Sequence, residues 1–188
     1  MMDMGPRELR RDCDAIQIPN GNQVTARAGT EVSIMHAFGD TYTVRTAAGY
    51  LLRIDAVDAD ALGEEATTPA PAEAAATASG PVEEAALWTV LRTVYDPEIP
   101  SNIVDLGLIY RVEVQPVLAT EPAGGADVSV TMTLTAPGCG MGQVLQDDVQ
   151  RKLARHPGVR SVQLELVFDP PWDQTMMSES ARLTLGMM

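Results

Sequence analysis

The sequence predicts an α+β fold, a small mixed β-sheet with packed helices in the order α-β-β-α-β-α, preceded by a small all-β module. Three observations lead there. Val128, Val130, Met132 and Leu134 alternate with the polar Ser129, Thr131 and Thr133, the period-two signature of a half-buried strand. Met141, Leu145, Val149 and Leu153 then recur at four-residue spacing, one apolar stripe of a helix. Residues 64–80, finally, carry Ala, Pro, Thr, Ser and Glu with no large apolar side chain. Such a segment buries too little surface to offset its ordering entropy, so it reads as a flexible linker between residues 12–63 and 81–188.

In the N-terminal part, Val32, Ile34 and His36 alternate with Glu31, Ser33 and Met35. Gly39-Asp40 turns into Thr41–Thr46, where Tyr42 and Val44 share a face, and Gly49 separates this from Tyr50–Ile54. That is the pattern of a hairpin-rich β module, and about fifty residues lies near the lower limit for an independent core. His36 falls on the apolar side of its strand and reads as a core or rim histidine rather than a metal ligand, with no second His or Cys nearby. Cys13, among charged residues at the edge of the module, has no assigned role.

In the C-terminal part, Leu87, Leu91, Val94 and Tyr95 follow helical spacing up to the break at Asp96-Pro97. The polar turn DPEIPSN leads into IVDLGLIYRVEVQP, read as a strand with Ile109, Val112 and Val114 inward. A Gly/Pro-rich loop from Pro116 to Ala126 gives the Val128 strand, and the Met141 helix ends at His156-Pro157-Gly158. Val162, Leu164, Leu166 and Phe168 then mark one face of a third strand. A Pro-Pro-Trp corner and a short helix close the tail. The second and third strands, joined through a helix, form a βαβ unit and should run parallel.

Composition excludes several classes. The 188 residues carry 13 Lys plus Arg against 26 Asp plus Glu, a net charge of -13, spread evenly over both halves. Neither nucleic acid nor an anionic membrane is the expected partner; a basic protein face or a bound cation fits better. Two cysteines and no signal-like or membrane-spanning run point to a cytoplasmic chain with reduced thiols. The chain has no GxxxxGK[ST], GxGxxG, HExxH, CxxC or GxSxG, so nucleotide cradles, zincins, dithiol redox and hydrolase elbows lack their parts.

The chemistry concentrates at Cys139, in the run TAPGCGMG (Thr135–Gly142) between strand and helix. Gly138 and Gly140 flank it in a tight, uncluttered turn. A thiol just ahead of a helix N-terminus is biased toward thiolate, the form that attacks electrophiles and binds metal; the competing reading is a small buried apolar cysteine. Asp96, Glu98 and Asp105 lie before the paired strand. If the first two strands pair, this turn and the cysteine loop meet at one end of the sheet, with the hydroxyls of Thr133 and Thr135. Carboxylates beside a thiolate oppose its ionisation unless a cation is shared or one of them serves as base. Equally, Asp96 and Asp105 are the residues that cap turns. His156, at the far end of the intervening helix, is no base for Cys139. A single cysteine is too few for an all-protein iron–sulfur site, so other ligands would come from a second protomer, a client or a small thiol.

The runs DPEIPSNIVDLGLIY (Asp96–Tyr110), LTAPGCGMG (Leu134–Gly142) and DPPWDQTMMSESARLTLGM (Asp169–Met187) together resemble the PaaD-like domain of iron–sulfur assembly proteins. The stretch AIQIPNGNQVTARAGTEVSI, with DADALG ahead of the linker, resembles the extra module of SufT-type members. The resemblance implies a non-enzymatic maturation factor of the SUF system that helps deliver clusters to apo-enzymes. Its implied partners are scaffold and carrier proteins and those apo-enzymes, with no stably bound cofactor beyond a transient cluster or iron. The oligomeric state stays open, although a single-thiol site is easier to complete in a homodimer. The family's reactive cysteine corresponds to Cys139, its acidic motif to Asp96, Glu98 and Asp105, and its threonine to Thr135. The wider family often follows the cysteine with proline; here Gly140 follows, leaving the loop freer. Two rivals stand beside this reading: a thiol enzyme with Cys139 as nucleophile, and an interaction module whose acidic surface does the docking.

Overall fold

A computed structural model describes residues 5–65, 81–117, 125–138 and 140–187. They divide into two compact units: residues 5–65 with Pro97–Pro100, and residues 81–96 with those from Ser101 onward.

The first unit is a six-stranded antiparallel sheet. Its strands are β1 (Pro6–Glu8), β2 (Cys13–Ile18), β3 (Asn22–Ala26), β4 (Glu31–Phe38), β5 (Thr41–Thr46) and β6 (Leu51–Asp55), in the spatial order β1-β4-β5-β6-β2-β3. The expected alternation holds for Val32, Ile34, Val44, Leu52 and Ile54, which form one core with Leu9 and the 3-10 turn Ala56–Leu62. One residue is placed more closely than the sequence allowed and one expectation needs correction. Cys13 is a core residue, 4% exposed, and burial pushes its thiol pKa up. His36 is not on the apolar face: the register slips between Ile34 and His36. A bulge reverses the alternation, so Ala37 packs on the core and His36 stacks on Phe38 at 5.5 Å.

The second unit has the predicted order. Helix α1 (Glu84–Leu91) precedes β7 (Ile109–Val117) and β8 (Gly125–Met132); then come α2 (Gly142–Ala154), β9 (Val159–Leu166) and α3 (Glu179–Thr184). The sheet runs β7-β8-β9, with β7 antiparallel and β9 parallel to β8, as a βαβ unit requires. Register sets Val112 opposite Val130 and Val130 beside Leu164, so one face is apolar. Helix α2 packs against β9 and α1, and α1 against β7. Leu145, Val149 and Leu153 are buried in that layer, as their spacing demands.

Three local readings change. Helix α1 stops at Leu91, after which Val94 and Tyr95 leave the helix, Tyr95 bridging to Asn102. Residues 103–108 are not strand but successive turns, despite their apolar character; Ile103, Leu106 and Leu108 are fully buried without sheet pairing. The β7–β8 hairpin reaches further than expected, with Pro116 opposite Ala126 and Val117 opposite Gly125. Most of the linker assigned to 64–80 lies outside the described residues, as does Cys139.

Candidate functional site

The site is built at one end of the three-stranded sheet. Strand β8 exits there and β7 enters there, because the two are antiparallel; the parallel β9 also exits there. The Thr133 N–H donates to the Leu108 carbonyl at 2.8 Å and the Val167 N–H to the Met132 carbonyl at 2.9 Å. These bonds extend the sheet just past its named strands. They bring together the turns before β7, the cysteine loop after β8 and the segment after β9.

The cysteine loop runs from Thr135 to Met141, and its ends are pinned. A Cβ on Gly142 would meet Leu134 Cδ1 at 2.5 Å, so the helix start lies directly against the strand's last apolar residue. Gly138 has φ +78°, a left-handed conformation that L side chains rarely adopt. Met141 is buried while Ala136, Pro137, Gly138 and Gly140 are exposed. The loop is anchored at its helical end and exposed at these four residues. Met141, at the N-cap of α2, makes no side-chain capping bond to the helix N–H groups. Thr135 is half-buried. Thr133 is fully buried, and among the described residues its hydroxyl has no hydrogen-bond partner.

The acidic residues are distributed unevenly. Asp96 begins the loop 96–101; its N–H donates to the Ser101 carbonyl at 3.1 Å. Asn102 then directs the turn. Its side-chain oxygen accepts from the N–H groups of Val104 and Asp105, at 3.1 and 2.9 Å, an Asx turn. Its Nδ2 donates to Asp105 Oδ2 at 2.7 Å. Asp105 is therefore oriented from its own turn and half-buried, at the sheet end that carries the cysteine loop. Glu98 is exposed, in the segment that groups with the first unit.

The third wall is the segment after β9, whose contacts with the turn before β7 escaped the sequence reading. The Trp172 indole N–H donates to the Leu106 carbonyl at 2.9 Å. The Ser178 N–H donates to the Asp105 carbonyl at 2.8 Å, and the Tyr110 hydroxyl to the Pro170 carbonyl at 2.9 Å. Asn102 was also missed, although its spacing from Asp105, N-x-x-D, is a legible Asx-turn signal. His156 closes the far end of α2, a 13-residue helix about 20 Å long at 1.5 Å per residue. Among the described residues no three His, Cys, Asp or Glu side chains gather as a metal site, and no helix is long and apolar enough to cross a membrane.

The family match falls within this unit. Residues 84–165, which include β7, β8, the cysteine loop and α2, match the family described as iron–sulfur cluster assembly protein. An Fe-S protein maturation auxiliary factor of Porphyromonas gingivalis is 50% identical over 101 residues, covering 53% of this chain and 87% of that protein. The Fe-S protein maturation auxiliary factor SufT of Staphylococcus aureus is 39% identical over 93 residues, covering 50% of this chain and 97% of that protein. A crystal structure of a domain of unknown function from Bacillus anthracis superposes with a TM-score of 0.48 at 33% identity, covering 56% of this chain and 92% of that chain. The resemblance carried by the three sequence motifs is borne out by the family match and the two maturation factors, and the chain belongs to the iron–sulfur cluster assembly protein family, among the SufT-type members.

Proposed function

We propose that this protein is an auxiliary iron–sulfur maturation factor that passes clusters to apo-enzymes through Cys139. The observation that supports this most is the position of the family match, which spans the strand, cysteine loop and helix of one sheet end. The protein acts as a carrier or adaptor rather than as an enzyme. The cluster is cargo. As it is handed over, an iron–sulfur bond to a donor cysteine breaks while one to Cys139 Sγ forms. The thiol proton passes to the departing thiolate and no electron changes hands. One thiol supplies one ligand, so the remaining positions belong to a client, a small thiol or a second copy. Such an incomplete set suits exchange better than storage.

Thr135 and the carboxylates of Asp96 and Asp105 set the polarity around the loop, and the exposed Glu98 serves partner contact. Gly138 and Gly140 keep the approach to the thiol open. The expected partners are SUF scaffold and carrier proteins and their apo-enzyme clients, in the cytoplasm, with no nucleic acid and no membrane.

The test is aconitase activity under iron limitation in a strain lacking its own factor, complemented with wild type or Cys139→Ser at matched protein levels. Recovery with wild type and none with the variant supports the carrier. Equal recovery removes the thiol from the mechanism and leaves an adaptor.

A further inference from the structure

We propose that the segment 169–178 is a positioning element for Asp105, in which Trp172 and Ser178 act on cluster handling through the turn that carries this carboxylate. The inference rests on the carrier reading above. It starts from what the turn lacks: residues 103–108 belong to no strand or helix, so no ladder fixes the backbone that bears Asp105.

The segment supplies that fixation residue by residue. The carbonyl of Asp105 accepts from the Ser178 N–H at 2.8 Å. The carbonyl of Leu106 accepts from Trp172 Nε1 at 2.9 Å. Gly107, with φ +72°, presents its Cα to the Met176 backbone, so closely that a Cβ would lie 2.3 Å from the Met176 oxygen. Three consecutive residues of the turn are thus held from one stretch of chain. The stretch is itself anchored. Tyr110 donates to the Pro170 carbonyl at 2.9 Å, Asp173 Oδ1 accepts from the Thr175 N–H at 2.7 Å, and the Ser178 hydroxyl caps α3 by accepting from the Ala181 N–H at 3.2 Å. Met177 and Ala181 are buried beneath it.

On its other side Asp105 meets Asn102, whose Nδ2 donates to Oδ2 at 2.7 Å. Among the described residues this is the only side-chain hydrogen bond the carboxylate makes. Oδ1 is left for a group that arrives from outside. A backbone clamped on one side and a carboxylate turned by Asn102 on the other define a pre-oriented acceptor. The Trp172 N–H sets the turn, and the turn aims Asp105.

The experiment is a double-mutant cycle on cluster transfer from a loaded scaffold to apo-aconitase, using the full-length chain. Trp172→Phe keeps a ring in place and removes the N–H; Asp105→Asn removes the charge. Positioning predicts that each single variant slows transfer about tenfold, the factor that accompanies loss of one hydrogen bond. It predicts further that Trp172→Phe adds nothing on the Asp105→Asn background. A spectroscopic readout stands beside it: Trp172→Phe should shift the Asn102 side-chain amide resonances, which report the bond to Asp105. Losses that multiply, wild-type transfer in either single variant, or unmoved Asn102 resonances would each overturn the inference. Cys139→Ser, run in parallel, separates the two levels. If it transfers like wild type, the carrier reading itself has failed.

Discussion

Gly107 and Met176 approach so closely that no side chain fits between them: a Cβ on Gly107 would sit 2.3 Å from the Met176 carbonyl oxygen and 2.7 Å from its carbon. The obstruction is backbone, which cannot swing aside as a side-chain tip can. Gly107 also has φ +72°, where an alanine costs about 1–2 kcal/mol before any contact is considered. Gly107→Ala should therefore destabilise the second unit by about 3 kcal/mol or more, read as a lower urea midpoint. An unchanged midpoint would mean that the segment does not lie against the turn in solution.

Thr133 leads to the opposite expectation. Its hydroxyl is fully buried with no hydrogen-bond partner among the described residues, which costs about 1–3 kcal/mol. Thr133→Val keeps the shape and removes the orphaned group, so stability should rise by about 1 kcal/mol. Chemical denaturation measures this directly. A loss instead of a gain would show that the hydroxyl has a partner in solution.

A third prediction concerns acid. The Ser161 hydroxyl, at 2.7 Å, and the Arg160 guanidinium, at 3.0 and 3.1 Å, hold the Asp127 carboxyl below the usual carboxylate range. A carboxylate with a depressed folded-state pKa stabilises above its unfolded value, about 3.9, and loses that contribution as pH falls through the folded one. Asp127→Asn should lower stability near neutral pH, and the difference from wild type should shrink progressively below about pH 4. The side chain is partly exposed, so the effect is small and salt-sensitive. A difference that stays constant with pH would assign it to packing rather than charge.

What the sequence disclosed, and what it hid, follows from the range of the interactions involved. Helix α2 and strands β8 and β9 were legible because each sets one face against a single layer, so the period of apolar residues is the period of the backbone. The α-β-β-α-β-α order and the parallel β8–β9 pair followed from them. The run Ile103–Leu108 misled for the same reason: its apolar residues suit a strand, yet they are buried by turns that a segment some sixty to seventy residues later holds in place. His36 misled because a bulge one residue earlier reverses the face, and alternation carries no mark of a bulge. At the site, Cys139, Asp105 and Thr135 stood out by residue type and by their place beside strand ends. The Trp172 and Ser178 bonds did not, since the contribution of each is one N–H, delivered to a carbonyl far away in sequence.

The same distance gives the second unit an order of assembly. Asp105 leaves the ribosome well before Ser178, and at about 5–20 residues per second the interval is several seconds. During it the turn lacks the N–H groups that later hold its carbonyls. The carboxylate is thus aimed only after translation has passed the residues that aim it. A nascent chain that has already made its β8 strand and α2 helix still lacks the contacts that hold the turn, and these arrive with the tail.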